Sequence, residues 1–205
     1  MGKIRRNVER IQRHIGPGRG MIPVVKGNAY GLGTVEVARL MHDMGMPLLA
    51  NAHIAESIQI REAGIPVDLM ILGALPPHAV PYAAQYGLQM TVFKEGVAVF
   101  SRACRDAGHT GQVHIKIETG LGRIGVKPGA DLERLLDHIA QVGNLEVVGV
   151  FTHYATAGER ESQYAKEQFA LFQKGLQQVQ ARGIQPQYIH TANTGATIWF
   201  EESYC

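Results

Sequence analysis

Lys26 stands where a lysine can do chemistry. In Met21-Ile-Pro-Val-Val-Lys-Gly-Asn-Ala-Tyr-Gly-Leu-Gly33 an apolar, partly β-branched run ends on it, and Gly27, Gly31 and Gly33 follow. The pattern predicts a buried parallel strand that enters a glycine-rich turn before a helix starts near Thr34. In a barrel of parallel strands such C-terminal strand ends face the active site. An amine shielded from water there can attack a carbonyl and form a Schiff base. A lysine that snorkels into solvent accounts for the composition of this segment about as well.

Three further segments place reactive side chains at strand ends. In Val113-His-Ile-Lys-Ile-Glu-Thr-Gly-Leu-Gly-Arg-Ile-Gly-Val126, alternation puts Val113, Ile115 and Ile117 on one face and His114, Lys116 and Glu118 on the other, ahead of a glycine-rich turn carrying Arg123. That polar face is satisfied inside a barrel, lies in its mouth, or is a solvated half-exposed face. Val147-Val-Gly-Val-Phe-Thr-His-Tyr-Ala155 closes on His153, which by itself reads as a satisfied core or surface histidine. Tyr188-Ile-His-Thr-Ala-Asn-Thr-Gly-Ala196 sets Asn193 and Thr194 at a strand-to-helix junction, where they suit a phosphate or an ordinary helix cap. His14, His42, His53, His78, His109 and His138 show no ligand-like grouping, and no motif for a tightly held metal occurs.

The elements that must position these residues alternate regularly, which argues α/β with a parallel sheet. Strands are expected at Ile22–Lys26, Pro47–Asn51, Asp68–Leu72, Leu88–Phe93, Val113–Glu118, Val147–His153 and Gln187–Thr191. Helical connections are expected at Thr34–Met44, Ala52–Ala63, Ala79–Gln85, Gly96–Ala107, Asp131–Gln141 and Ser162–Arg182. Leu132, Leu135, Leu136 and Ile139 share one helical face, as a barrel's outer layer requires. The fold class this predicts is a TIM-type (β/α)8 barrel, incomplete, with about seven βα units. A helix over Gly2–Ile15 with an Ile4, Val8, Ile11, Ile15 stripe, and the helical start in Trp199–Cys205, make the chain read as part of a longer protein.

Composition narrows the function classes. The chain has 205 residues, 45% hydrophobic and 19% charged, with a formal charge of +2, which suits one soluble domain over 1–205 and no nucleic-acid or membrane partner. The two cysteines, Cys104 and Cys205, form no disulfide framework or metal spacing. No apolar run has the ~20 residues of a membrane span. A cytoplasmic protein is the expectation.

The four segments together resemble the alanine racemase family. Val24-Val-Lys-Gly-Asn-Ala-Tyr-Gly-Leu-Gly33 is similar to that family's V-V-K-A-N-A-Y-G-H-G, with Gly27 and Leu32 as departures. His114 to Val126 is similar to H-L-K-V-D-T-G-M-G-R-L-G-V, with Glu118, Leu121 and Ile124 as departures; Gly149 to Ala155 resembles G-I-F-T-H-F-A, and His190 to Thr194 resembles H-x-A-N-S. The resemblance implies that Lys26 carries pyridoxal 5′-phosphate as an aldimine and serves as one of two catalytic bases. It implies that Tyr30, Asn193 and Thr194 serve the cofactor phosphate, that Arg123 bonds the phenolic oxygen, and that His153 stacks on the ring. It implies that Lys116 is a site of carbamylation, since a carbamate beside Arg123 supplies the acceptor that an amine cannot.

The implied activity is interconversion of L- and D-alanine by a homodimer, in the service of D-alanine and cell wall biosynthesis. In the family the second base is a tyrosine from the C-terminal β domain of the other subunit. That tyrosine, the eighth strand with its arginine and a phosphate-binding glycine turn lie outside these 205 residues, so the 205 residues alone are expected to be inactive. The competing readings are a non-catalytic pyridoxal-phosphate-binding barrel, another racemase or decarboxylase of the same fold type, and a cofactor-free enzyme that forms its Schiff base on a sugar phosphate.

Overall fold

The computed structural model describes residues 1–94 and 96–205, which pack as two compact units, Met1–Met90 and Thr91–Cys205. The first unit contains α1 (Gly2–Ile15), α2 (Lys26–Gly31), α3 (Thr34–Asp43), β1 (Leu48–Asn51), α4 (Ile54–Glu62), β2 (Asp68–Ile71) and α5 (Val80–Gln85). β3 (Gln89–Val92) crosses the division. The second unit contains α6 (Val97–Asp106), β4 (Gly111–Lys116), α7 (Ala130–Val142), β5 (Leu145–Phe151), α8 (Gln163–Ala181), β6 (Tyr188–His190) and α9 (Thr194–Trp199).

In the first unit β1 pairs with β2, and β2 with the start of β3, all parallel. All four residues of β1 are buried, as expected when both faces of a parallel sheet are covered. Ile60 of α4 and Met41 of α3 add apolar side chains to the core. The six expected helical connections match α3 to α8 within two residues at each end, because their apolar period and their terminal glycines coincide, whereas α2 is not among the expected helices and α9 precedes the helical start expected in Trp199–Cys205.

The expected first strand, Ile22–Lys26, is the main correction. Only one parallel bridge forms there, between Val24 and Ala50. Val25 N–H donates to Ala50 O at 2.9 Å and Ala50 N–H donates to Pro23 O at 2.9 Å. Pro23 has no N–H to extend the ladder, and at Val25 the chain turns into α2. The described strands therefore number six and not seven.

In the second unit β4 pairs with β5 and β5 with β6, again parallel. Register shifts between Val113 and His114: Val113 faces Val147, but His114 faces Gly149, leaving Val148 as an extra residue on β5. Two rows then cross the three strands, His114–Gly149–Tyr188 and Lys116–Phe151–His190. The predicted apolar face of α7 is buried, with Leu132 fully covered.

Candidate active site

The candidate residues divide between the units, with Lys26 and Tyr30 in the first and Lys116, Arg123, His153, Asn193 and Thr194 in the second.

Lys26 heads a turn wound in the uncommon hand. Gly27, Asn28, Ala29 and Tyr30 have φ of 64, 54, 50 and 55° with positive ψ, a left-handed helical turn. For the three non-glycine residues this costs about 1–2 kcal/mol each. The turn persists because its polar groups find partners: Ala29 N–H donates to Val25 O, Gly33 N–H to Asn28 O and Thr34 N–H to Asn28 Oδ1. From α4, the Glu56 carboxylate accepts the Asn28 N–H at 2.8 Å. Val25 and Ala29 are buried, Lys26 is half-buried and Tyr30 is 67% exposed. The turn thus carries an amine at its head and a phenol at its tail.

In the second unit the polar face of β4 is interior. His114 and Lys116 are buried, and so are Val113, Ile115 and Ile117 on the other face. His114 stacks on Tyr188 with centroids 5.8 Å apart, across Gly149. A Cβ at Gly149 would lie 1.9 Å from His114 Nδ1, so only glycine leaves room for the imidazole. His190 stacks on Phe151 at 4.7 Å and lies 3.4 Å from His114, ring nitrogen to ring nitrogen. Lys116 Nζ sits 5.4 Å from the centre of the Phe151 ring. Burial lowers the His114 pKa to about 3, and His190 falls well below the usual range through burial, His114 and Lys116. Lys116 is pushed down to about 8, by burial first and then by the Arg123 charge, with Glu118 opposing.

Arg123 rides on a loop closed by backbone bonds from Glu118 N–H to Val126 O and from Val126 N–H to Lys116 O. The Glu118 carboxylate accepts Gly120 N–H at 2.6 Å and Gly122 N–H at 3.1 Å. The guanidinium end of the loop is exposed. Thr152 Oγ1 donates to Ile117 O at 2.9 Å and pairs with Thr119 Oγ1 at 2.8 Å. His153 is half-buried, and Tyr154 beside it packs with Phe200. Asn193 caps α9: its Oδ1 accepts Ala196 N–H at 3.0 Å and its Nδ2 donates to Tyr154 O at 3.4 Å. Thr194 is exposed at the first residue of that helix.

Residues outside the four segments also shape these sites. Glu56 reaches α2 from α4, and Gln168 reaches Thr119, His153 and Ala155 from α8. Gln168 interrupts a buried stripe of Ala165, Phe172, Gly175 and Val179. A glutamine inside such a stripe is the one signal in the sequence that could have singled it out.

The family described as "Alanine racemase, N-terminal domain" matches residues 1–205. Alanine racemase of Desulforamulus reducens is 35% identical over 98% of this chain and 55% of its own length. Alanine racemase 1 of Bacillus subtilis is 32% identical over 100% of this chain and 51% of its own. The chain thus spans about half the length of these relatives. Among solved structures, alanine racemase of Clostridium difficile 630 in complex with cycloserine superposes with a TM-score of 0.95 at 27% identity, covering 100% of this chain and 56% of its own. Histidine racemase of Leuconostoc mesenteroides gives a TM-score of 0.86 at 25% identity, covering 98% and 53%.

Proposed function

This chain belongs to the alanine racemase N-terminal domain family, and on that footing we propose that residues 1–205 are the cofactor-binding domain of a pyridoxal 5′-phosphate-dependent alanine racemase. The observation that carries the reading is α2, where one left-handed turn presents the Lys26 amine and the Tyr30 phenol and both belong to the motif Val-Val-Lys-Gly-Asn-Ala-Tyr.

The donor set fits pyridoxal 5′-phosphate. An amine suits its aldehyde, the Tyr30 and Thr194 hydroxyls suit its phosphate, the Arg123 guanidinium suits its phenolic oxygen and the His153 imidazole suits a ring face. When bound, the cofactor supplies an electron sink that makes the α-hydrogen of an amino acid acidic. Lys26 would anchor the cofactor and would hold or return a proton at the α-carbon. Arg123 would donate to the phenolic oxygen, with its loop fixed by Glu118. Tyr30 would donate to the phosphate, while Asn193, by capping α9, would hold the start of that helix in place for Thr194. His114 and His190, neutral through burial, add no charge beside Lys116.

Lys116 is suited to carbamylation, because a pKa near 8 leaves an accessible fraction of neutral amine at neutral pH. Its lone pair attacks dissolved carbon dioxide, an N–C bond forms and one amine proton leaves to solvent. The carboxylate so formed complements Arg123. The reading extends to an amino-acid substrate, to a homodimer and to the cytoplasm. Among the described residues no helix is long and apolar enough to cross a membrane. A second reading, a racemase for a different amino acid, is favoured by the likeness to histidine racemase.

The test is the visible absorption spectrum of the protein with pyridoxal 5′-phosphate. A band that is lost in Lys26→Ala supports the reading; no cofactor-dependent band, or an equal band in Lys26→Ala, overturns it.

A further inference from the structure

We infer that α8 carries a two-residue clamp, Tyr164 and Gln168, that positions the Arg123 loop and the His153 segment as one piece. The inference deepens the proposed function, since those segments are the ones assigned to the cofactor.

Tyr164 and Gln168 lie four residues apart and so point the same way from the helix. Tyr164 O–H donates to Gly120 O at 2.9 Å. The approach is close enough that a Cβ at Gly120 would come within 2.1 Å of the phenol oxygen, and Gly120 has φ 127°. Gln168 is 1% exposed and its amide is fully engaged. Its Nε2 donates to Thr119 Oγ1 at 3.2 Å and to His153 O at 3.5 Å, while its Oε1 accepts Ala155 N–H at 2.9 Å. Since Thr152 Oγ1 donates to Ile117 O, Thr119 Oγ1 is the donor in its bond to Thr152 Oγ1. A directional chain, Gln168 to Thr119 to Thr152 to Ile117, therefore ties the ends of β4 and β5 together. A buried network with every member satisfied rigidifies what it joins. Neither clamp residue is a catalytic residue; both act through Arg123 and His153.

The test is amide hydrogen exchange on the cofactor-free protein, comparing Gln168→Leu and Tyr164→Phe with the parent. The readout is the pair of Gly120 and Gly122 amides, which bond to Glu118 and to neither clamp residue. The expected result is at least tenfold faster exchange at both, with the amides of β4 unchanged. Unchanged exchange at Gly120 and Gly122 overturns the clamp. A rise spread equally through β4 and β5 also overturns it, because it shows a general core role; Tyr164→Phe, which removes one part-exposed hydroxyl, keeps the test available if Gln168→Leu fails to fold. A parallel titration with pyridoxal 5′-phosphate is expected to show roughly tenfold weaker binding in Gln168→Leu. Because exchange is read without cofactor, a protein that binds no cofactor overturns the proposed function while the exchange result still judges the clamp.

Discussion

The Lys26 turn and the Arg123 loop solve the same problem, a cationic side chain held at a set place, by opposite means. The Lys26 turn relies on backbone conformation: four successive left-handed residues, mostly exposed, restrained by a few bonds to Asn28 and one carboxylate from α4. The Arg123 loop relies on side chains: Glu118, Thr119, Thr152, Tyr164 and Gln168 satisfy one another and the backbone. The first stores conformational energy at the site, while the second spreads the constraint over two strands and a helix. Strained backbone is expected to be sensitive to residue type at the turn itself. A side-chain network is expected to be sensitive to packing some distance away.

The sharpest way to break this contrast is Gly149→Ala. The added methyl meets an imidazole that Tyr188, Phe151 and His190 hold in place, so a loss of about 3 kcal/mol is expected. Urea unfolding measures it, and a loss under ~1 kcal/mol would show that the ring row is soft.

Acid should act on the same row. His114 and His190 have folded pKa values lowered by burial, so as pH falls through about 6.5 the unfolded chain takes up protons that the folded chain does not. Stability is then complete above that range and declines toward the folded value of about 3 for His114. Between pH 7.5 and 5.5 the loss is roughly 1.4 kcal/mol per histidine. Lys116 adds little to that slope, since below its folded value near 8 it is mostly protonated in both states. Urea midpoints at the two pH values check this, and His114→Asn should lessen the difference.

The smallest effect belongs to the turn. Asn28→Ala removes the acceptor of Thr34 N–H and should cost about 1 kcal/mol, with Asn28→Asp restoring most of it. If alanine costs nothing in thermal unfolding, the turn is fixed by its glycines, its backbone bonds and Glu56.

Much of this was legible in the residues. Apolar runs and period-3.6 patterns place β2, β3, α3 and α7 within about two residues. The strand expected at Ile22–Lys26 fails because hydrophobic composition reports burial, which Val25 has, and not the hand of the next four residues. Asn28 is of a type that tolerates positive φ, but Ala29 and Tyr30 carry no such mark. His114 and Lys116 could be placed on one face, but whether that face was interior depended on Tyr188, Phe151 and His190, more than thirty residues away. Asn193 reads equally as a ligand or as a cap; its side chain caps α9.

The extra residue Val148 has a consequence for how this strand can vary. It acts as a half-step in phase: the alternation before it and the alternation after it are counted from different origins. Deleting that single position would leave Gly149 facing His114 and Phe151 facing Lys116 in an unbroken ladder, so each later residue of β5 would keep its side. A one-residue deletion should therefore be better tolerated at Val148 than at any paired position of β5, where it would move Gly149 and Phe151 out of their rows and exchange inside for outside.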